Sequence, residues 1–365
     1  MLAIEPITDL EAWNAIAQRF PNCDLRQSHE WGEIRRRHGW RPVRLAAFDS
    51  GHCVAAISAL ARRVPGLGTI AYAPRGPLAD DDDERAWKAL PALTDAVGQA
   101  TGAVFLRVSP GLSDDRRETA GRLAAHGFVA LPDFWSLWNS PRNVMRLSLD
   151  GSERELLSRM ASKRRQHIST AARRGVTAER AGGPDALDAF HALLVEHGGR
   201  GGYPVRDRGY FDALHAAFAP RGALGLVVGR VNGRLAAALL GVRFGAAAYA
   251  LYAPSSPAAR GRPVGDVLHW EWLRWAKTSG CREIDFGSSG TQVPPRPTDG
   301  ALGIYRFKVE IGCRLQLNLP FHDRVFDPLR YRVARALERH ALGRARLWVG
   351  RLPARLREVV ARRVA

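Results

Sequence analysis

The sequence predicts an α/β (α+β) protein made of two similar units, each a mixed, largely antiparallel sheet flanked by helices. Three observations carry that expectation. The chain has 365 residues, 46% of them apolar, which exceeds one ordinary core and suits two. Two stretches about 180 residues apart read alike, "PVRLAAFDSGHCVAAISALARR" at 42–63 and "LGLVVGRVNGRLAAALLGVRFG" at 224–245. Each is a pair of alternating apolar runs across a turn dipeptide, Ser50-Gly51 and Asn232-Gly233, the second a strong type I′ signal. The same succession of elements then follows each hairpin.

First, a third strand reaches a Tyr-Ala-Pro corner, Tyr72-Ala73-Pro74 in "TIAYAPRGPL" and Tyr252-Ala253-Pro254 in "AYALYAPSSP". Apolar residues at helical spacing come next, in "ERAWKALPALTDAVGQATG" (84–102) and "VGDVLHWEWLRWAKTSG" (264–280), each closing near a glycine. Short apolar strands return in "AVFLRVSP" and "CREIDFGS". Helical segments precede each set of strands: "DLEAWNAIAQRF" and "SHEWGEIRRRHGW" in the first half, "SERELLSRMASKRRQHISTAARRG", "ALDAFHALLVEHG" and "RGYFDALHAAF" in the second. Ser152 with Glu155 forms a capping box that fixes one helix start. The segment 131–149 is the expected crossover. Antiparallel strands, a helix and a returning strand are the layout of a GNAT-like unit, so the chain reads as two tandem GNAT-like domains.

Formal net charge is +18, which predicts an anionic partner such as nucleic acid, a phosphate ester or an acidic membrane face. The stretch 329–365 holds eleven arginines against Glu338 and Glu358, a net of +9 and half the total. It reads as basic helices broken near Gly343, Gly350 and Pro353. The four cysteines are scattered without a CxxC pair, which argues against a disulfide framework or zinc site and fits a reducing cytoplasm. The start lacks a basic n-region and a long apolar run, so no signal peptide is expected, and no stretch is apolar enough to span a membrane.

No phosphate loop, HExxH or plausible GxSxG elbow occurs. The eleven histidines read as structural or surface groups, and no metal site is expected. A coenzyme A site would need a [QR]xxGx[GA] loop; Arg262 to Val267 begins that way, but Val267 ends it wrongly and Pro263 removes a donor. In "MASKRRQHISTAARRGV", Lys163, Arg164, Arg165, Arg173 and Arg174 form either a solvated face or a phosphate track, above a stripe of Met160, Ile168 and Ala171. In "GIYRFKVEIG", Lys308 beside Tyr305 and Phe307 reads, from the residues alone, as an exposed strand edge.

In order along the chain, "RQSHEWGEIRRRHGW", "YAPRGP", "LLSRMASKRRQHISTAARRGV", "RDRGYF", "LYAPSS", "LHWEWLRWAKTSGCREIDFG" and "GIYRFKVEIG" resemble blocks of the Fem (FemABX) aminoacyltransferases, from about Gln27 to Tyr331. With no heptad arm, the chain is similar to the FemX-like branch. The resemblance implies two GNAT-like domains, the second inserted in the first: 1–143 plus 313–365, and 144–312. It implies transfer of an amino acid from aminoacyl-tRNA to an amine of the peptidoglycan precursor's stem peptide, on UDP-MurNAc-pentapeptide or lipid II, with no nucleotide cofactor, in the cytoplasm.

Residue roles follow the same resemblance. Arg35, Arg206, Tyr210 and Tyr252 match positions that meet the precursor, and Phe307 and Lys308 match the pair beside the tRNA acceptor end. Lys163, Arg164 and Arg165 match the basic helix that would meet tRNA. Ser109 stands where the family often has an acid thought to assist the amine, and serine is no general base unaided. The basic tail, beyond the resemblance, is expected to meet tRNA or the anionic inner membrane face. Three other functions fit parts of this reading: a coenzyme-A-dependent N-acyltransferase, a tRNA-dependent peptide-bond enzyme of a natural-product pathway, and a non-catalytic nucleic-acid binder.

Overall fold

The two hairpins turn where the dipeptides put them. Ser50 and Gly51 have φ of 50° and 80°, and Asn232 and Gly233 have 49° and 78°. Positive φ at both central positions is the type I′ geometry whose twist matches the flanking strands. This computed structural model describes residues 1–115, 117–132, 142–290, 295 and 301–350, with backbone alone for 341–350.

The described residues divide into two compact units, 1–142 with 317–350, and 143–316. The first begins with β1 (Leu2–Pro6), α1 (Leu10–Ala17), α2 (His29–Arg36), β2 (Arg41–Asp49), β3 (His52–Val64), β4 (Gly68–Pro74), β5 (Leu78–Ala79), α3 (Glu84–Thr101), β6 (Ala103–Ser109), α4 (Arg117–Ala125) and β7 (Phe128–Ala130). Then come β8 (Asn143–Ser148), α5 (Glu153–Arg159), α6 (Ser162–Thr170), β9 (Val176–Ala181), α7 (Gly183–Gly201), α8 (Arg208–Phe218), β10 (Leu224–Val231), β11 (Arg234–Phe244), β12 (Ala247–Tyr252), α9 (Val264–Thr278), β13 (Glu283–Asp285), α10 (Leu302–Glu310) and β14 (Arg314–Leu317). The chain returns to the first unit with β15 (His322–Val325) and α11 (Pro328–Gly350).

Among the described residues the first sheet runs β1-β2-β3-β4-β6-β15-β7, with β5 beside β3, and the second runs β14-β8-β13-β12-β11-β10-β9. The repeated part is plain: β2-β3-β4-α3-β6 in one unit and β10-β11-β12-α9-β13 in the other. In each, the strand after the helix pairs in parallel with the strand before it, β6 with β4 and β13 with β12. Each repeat then gains an antiparallel neighbour from elsewhere in the chain. β15 lies between β6 and β7, and β8 lies beside β13.

α3 is capped by Asp83, whose side chain accepts the Arg85 amide, and ends at Gly102 in the left-handed region (φ 62°). Its Trp87, Leu90, Leu93 and Val97 cover one face of the first sheet, against Leu45, Ile57 and Leu106. α9 does the same in the second unit with Leu268, Trp272 and Trp275. The indoles lie close on the sheet because Gly241 and Gly225 lack side chains. A Cβ on Gly241 would stand 2.5 Å from Trp272, and one on Gly225 2.7 Å from Trp275.

The capping box forms, with Ser152 and Glu155 satisfying each other's backbone amides. The basic segment is two helices, α5 and α6, with Met160 extended between them. Met160 and Ala171 are buried, and Ile168 packs on the core.

Two expectations are corrected. Residues 302–310 form helix α10, not a strand edge. Tyr305, Phe307 and Ile311 contact the core formed with α9, and that packing overrides the strand preference of Ile304, Tyr305, Phe307 and Val309. The tail does not break at Gly343, because α11 runs from Pro328 to Gly350. Part of the crossover (133–141) and the tail from 351 lie outside the described residues. No described helix is long and apolar enough to cross a membrane.

Candidate functional site

In the second unit the parallel pairing of β12 with β13 is short. It runs from Ala247↔Glu283 to Tyr249↔Asp285, while β12 continues to Tyr252. The strands part at their carboxyl ends, the usual place for ligands in such sheets. Just past β13 the Phe286 amide and Gly287 carbonyl still pair with Met145 of β8, and Lys308 of α10 donates to the carbonyls of Phe286 and Ser288. Its Nζ donates to Phe286 O (2.6 Å) and Ser288 O (2.8 Å). The turn they belong to is held by Asn143, whose Nδ2 donates to Gly290 O (2.8 Å) and whose Oδ1 accepts the Ser289 amide. Burial lowers the Lys308 ammonium from 10.5 to about 8, against the opposing pull of Cys313 and Asp285.

Phe307, next to it, is clamped from two sides. The His269 ring meets it edge-on at 4.7 Å, and the Arg164 guanidinium lies over it at 4.9 Å. Arg164 also bridges Asp266 (3.0 Å) in the first turn of α9 and Glu310 (2.6 Å) at the end of α10. His167 adds a contact to the other Asp266 oxygen at 2.7 Å. Burial, with Lys308 nearby, pushes His269 down to about 4, although its Nδ1 contact with Gly265 O opposes this. Its imidazole is therefore neutral at ordinary pH.

A second group gathers around the end of β12. Tyr252 packs edge-on against Phe211 (5.1 Å), Tyr210 (6.3 Å) and Phe190 (6.4 Å). The Arg206 guanidinium stands 5.3 Å over the Tyr210 ring. Burial raises the Tyr252 phenol well above its ordinary value, Tyr210 adds to this, and Arg206 opposes it. Tyr210 is positioned by the start of α8, where Asp207 caps its amide. Three residues spread over 47 positions of sequence thus form one cation-and-phenol cluster.

The profile of the FemAB family matches residues 8–126, and that of an acetyltransferase (GNAT) domain matches residues 158–308. The lipid II:glycine glycyltransferase of Staphylococcus aureus is 30% identical over 211 residues, 55% of this chain and 50% of that protein. The crystal structure of FemX superposes with a TM-score of 0.82 at 21% identity, over 91% of this chain and 99% of that one. The chain is similar to the FemAB family over its first third and shares the FemX fold. It spans about half the length of the curated relatives it matches. A tandem GNAT protein from the clavulanic acid biosynthesis pathway shares the fold, with a TM-score of 0.52 at 12% identity over 88% of this chain and 98% of that one.

The remaining sequence candidates are Arg35, Ser109 and the residues of the basic helix. Arg35 and Ser109 belong to the first unit. Arg35 at the end of α2 stands over Trp40 (5.8 Å), beside a concavity of about 340 Å³ lined by Arg36, Arg41, Arg62 and Arg63. Ser109 is buried, its Oγ 3.2 Å from Tyr72 Oη and accepting the Arg75 amide at 3.2 Å. Of the basic-helix residues, Lys163 is exposed, Arg165 donates to Met160 O (2.5 Å), and Arg164 is tied into the ion pairs above. Sequence reasoning missed His269 and Asp266. The only signal in the sequence was their spacing of three on α9, which puts both on the side facing α6 and α10.

Proposed function

We propose that this chain is a tRNA-dependent aminoacyltransferase that modifies a peptidoglycan precursor, UDP-MurNAc-pentapeptide or lipid II, on the cytoplasmic side of the membrane. The amine nitrogen of the stem peptide attacks the ester carbonyl of aminoacyl-tRNA. A C–N bond forms, the ester C–O bond breaks, and the amine's proton leaves with the ribose oxygen. The ester is already activated, so the protein must align the reactants and stabilise the developing oxyanion. Lys308 suits the stabilising role, because two carbonyls hold its ammonium at the point where the parallel strands part. Arg206, Tyr210 and Tyr252 suit the aligning role by gripping the acceptor. Arg35, in the first unit, is a further candidate for the precursor's phosphates.

The observation that carries the reading is the state of the α9 N-terminus. In a coenzyme-A enzyme this end receives a pyrophosphate. Here Pro263 offers no amide, and the first turn already contains a buried carboxylate, Asp266, paired with Arg164 and in contact with His167. The GNAT profile match favours a coenzyme-A-dependent second reading, and titration calorimetry with acetyl-coenzyme A decides it: measurable binding would favour that reading.

The test is direct. Purified chain, a panel of charged tRNAs and either precursor should yield a product heavier by one amino-acid residue. No transfer with any charged tRNA would sink the proposal. Transfer to a different peptide acceptor would return the chain to the natural-product reading.

A further inference from the structure

The C-terminal helix α11 has an inward and an outward side, and the inward side is fixed by buried charge. Arg107 of β6, 1% exposed, bonds Asp323 of β15 through two nitrogens (2.8 and 2.7 Å) and Glu338 of α11 at 2.6 Å. Tyr331 donates to Asp323 (2.9 Å), and Ala334 is buried in the same core. At about 3.6 residues per turn this leaves Leu329, Val333, Ala336 and Leu337 on the opposite side. There the large apolar groups are bare: Leu329 is 73% exposed, Val333 53% and Leu337 58%. Arg332 and Arg339 run along one border of that stripe and Arg330 along the other. Among the described residues, Arg332 and Arg339 have no acidic partner.

We propose that this outward face of α11 docks on an anionic lipid bilayer. An aliphatic stripe bordered by arginines, in a segment carrying +9, is the pattern of a helix lying in a bilayer interface. The arginine stems extend the apolar contact while their heads reach lipid phosphates. Single-stranded RNA would call for a series of aromatic platforms, and the described part of this face offers a single ring, His340, among aliphatic groups. A second copy of the chain would bring arginine rows against each other. The inference stands on the helix and does not rest on the acyl-transfer reading.

The test is co-sedimentation of the full chain with vesicles of phosphatidylcholine alone or mixed with phosphatidylglycerol. The chain should pellet with the mixed vesicles and be released by salt. Val333→Asp with Leu337→Asp should weaken that binding by at least about tenfold, without lowering the melting temperature, since both side chains are exposed. Arg332→Gln and Arg339→Gln should each weaken it about fivefold. Wild-type chain left in the supernatant would overturn the proposal, as would a double-aspartate variant that pellets like wild type. It would also fall if that variant lost tRNA binding or self-association while its vesicle binding stayed intact.

Discussion

At the carboxyl end of β4 and β6 a neutral hydroxyl closes the parallel pair; at the carboxyl end of β12 and β13 an ammonium does. In the first unit the pairing continues to Pro74↔Ser109, and Ser109 joins Tyr72 and the Arg75 amide in a buried cluster. In the second it stops at Tyr249↔Asp285, and the carbonyls beyond are met by Lys308. The same strand-helix-strand unit thus occurs twice, once with its parallel strands paired to Ser109 and once with them parting where Lys308 meets the backbone. Burying a cation is costly, and Arg75 just past β4 is buried as well; what sets the second end apart is a lysine ammonium held on two backbone carbonyls where the strands part, the arrangement behind the proposed role of Lys308.

The sharpest way to break this comparison is Lys308→Met. It should lower kcat about 10²- to 10³-fold, the scale of a lost oxyanion donor. It should also lower stability by about 1–3 kcal/mol, because two carbonyls lose their donor. The helical setting changes the outlook here, since an exposed-strand lysine would have been neutral to folding. The pH dependence sharpens the point. The folded value, about 8, lies below the ordinary 10.5, so the unfolded chain holds this proton more tightly. The cost of burying the charge is complete below about 8, and stability should rise between 8 and 10.5, a slope that Lys308→Met removes. Activity should run the other way, with kcat falling above about 8 if the ammonium is the working form.

Next in size are Tyr252→Phe and Arg206→Gln, each expected to raise KM for the precursor about tenfold while leaving kcat within a few-fold, as loss of a charge-assisted contact would. Arg164→Gln should cost about 2 kcal/mol by leaving Asp266 without its main partner, and it should lower kcat several-fold by loosening Phe307. The salt slope of tRNA binding should not move. Lys163→Gln should do the reverse, reducing that slope by about 1 with melting unchanged. Ser109→Ala should have the smallest catalytic effect, less than about twofold in kcat, with a drop in melting temperature as its main sign.

The repeat was legible because its parts are local. Ser50-Gly51, Asn232-Gly233, the Ser152–Glu155 box and the apolar spacing of α3 and α9 each announce themselves within a few residues. The family resemblance named Arg206, Tyr210 and Tyr252 without showing that they touch. What stayed hidden was non-local. β15 is four residues, "HDRV", with no alternating pattern, and it holds its position through Asp323 meeting an arginine 216 residues earlier. α10 carries strand-loving residues and is helical because its aromatics pack on α9. Arg164 looked like one of several surface cations, and only Asp266 and Glu310, 102 and 146 residues away, give it a different employment.

The central claim is that the open, charged end of the second unit performs aminoacyl transfer. Single-turnover transfer of a labelled amino acid from aminoacyl-tRNA to the precursor, followed from pH 6 to pH 10 for wild type, Lys308→Arg and Lys308→Met, tests it most directly. Wild type should lose rate above about 8, Lys308→Arg should keep part of the rate and lose that fall, and Lys308→Met should be slow at every pH. A folded Lys308→Met variant with the wild-type rate and pH profile would contradict the account.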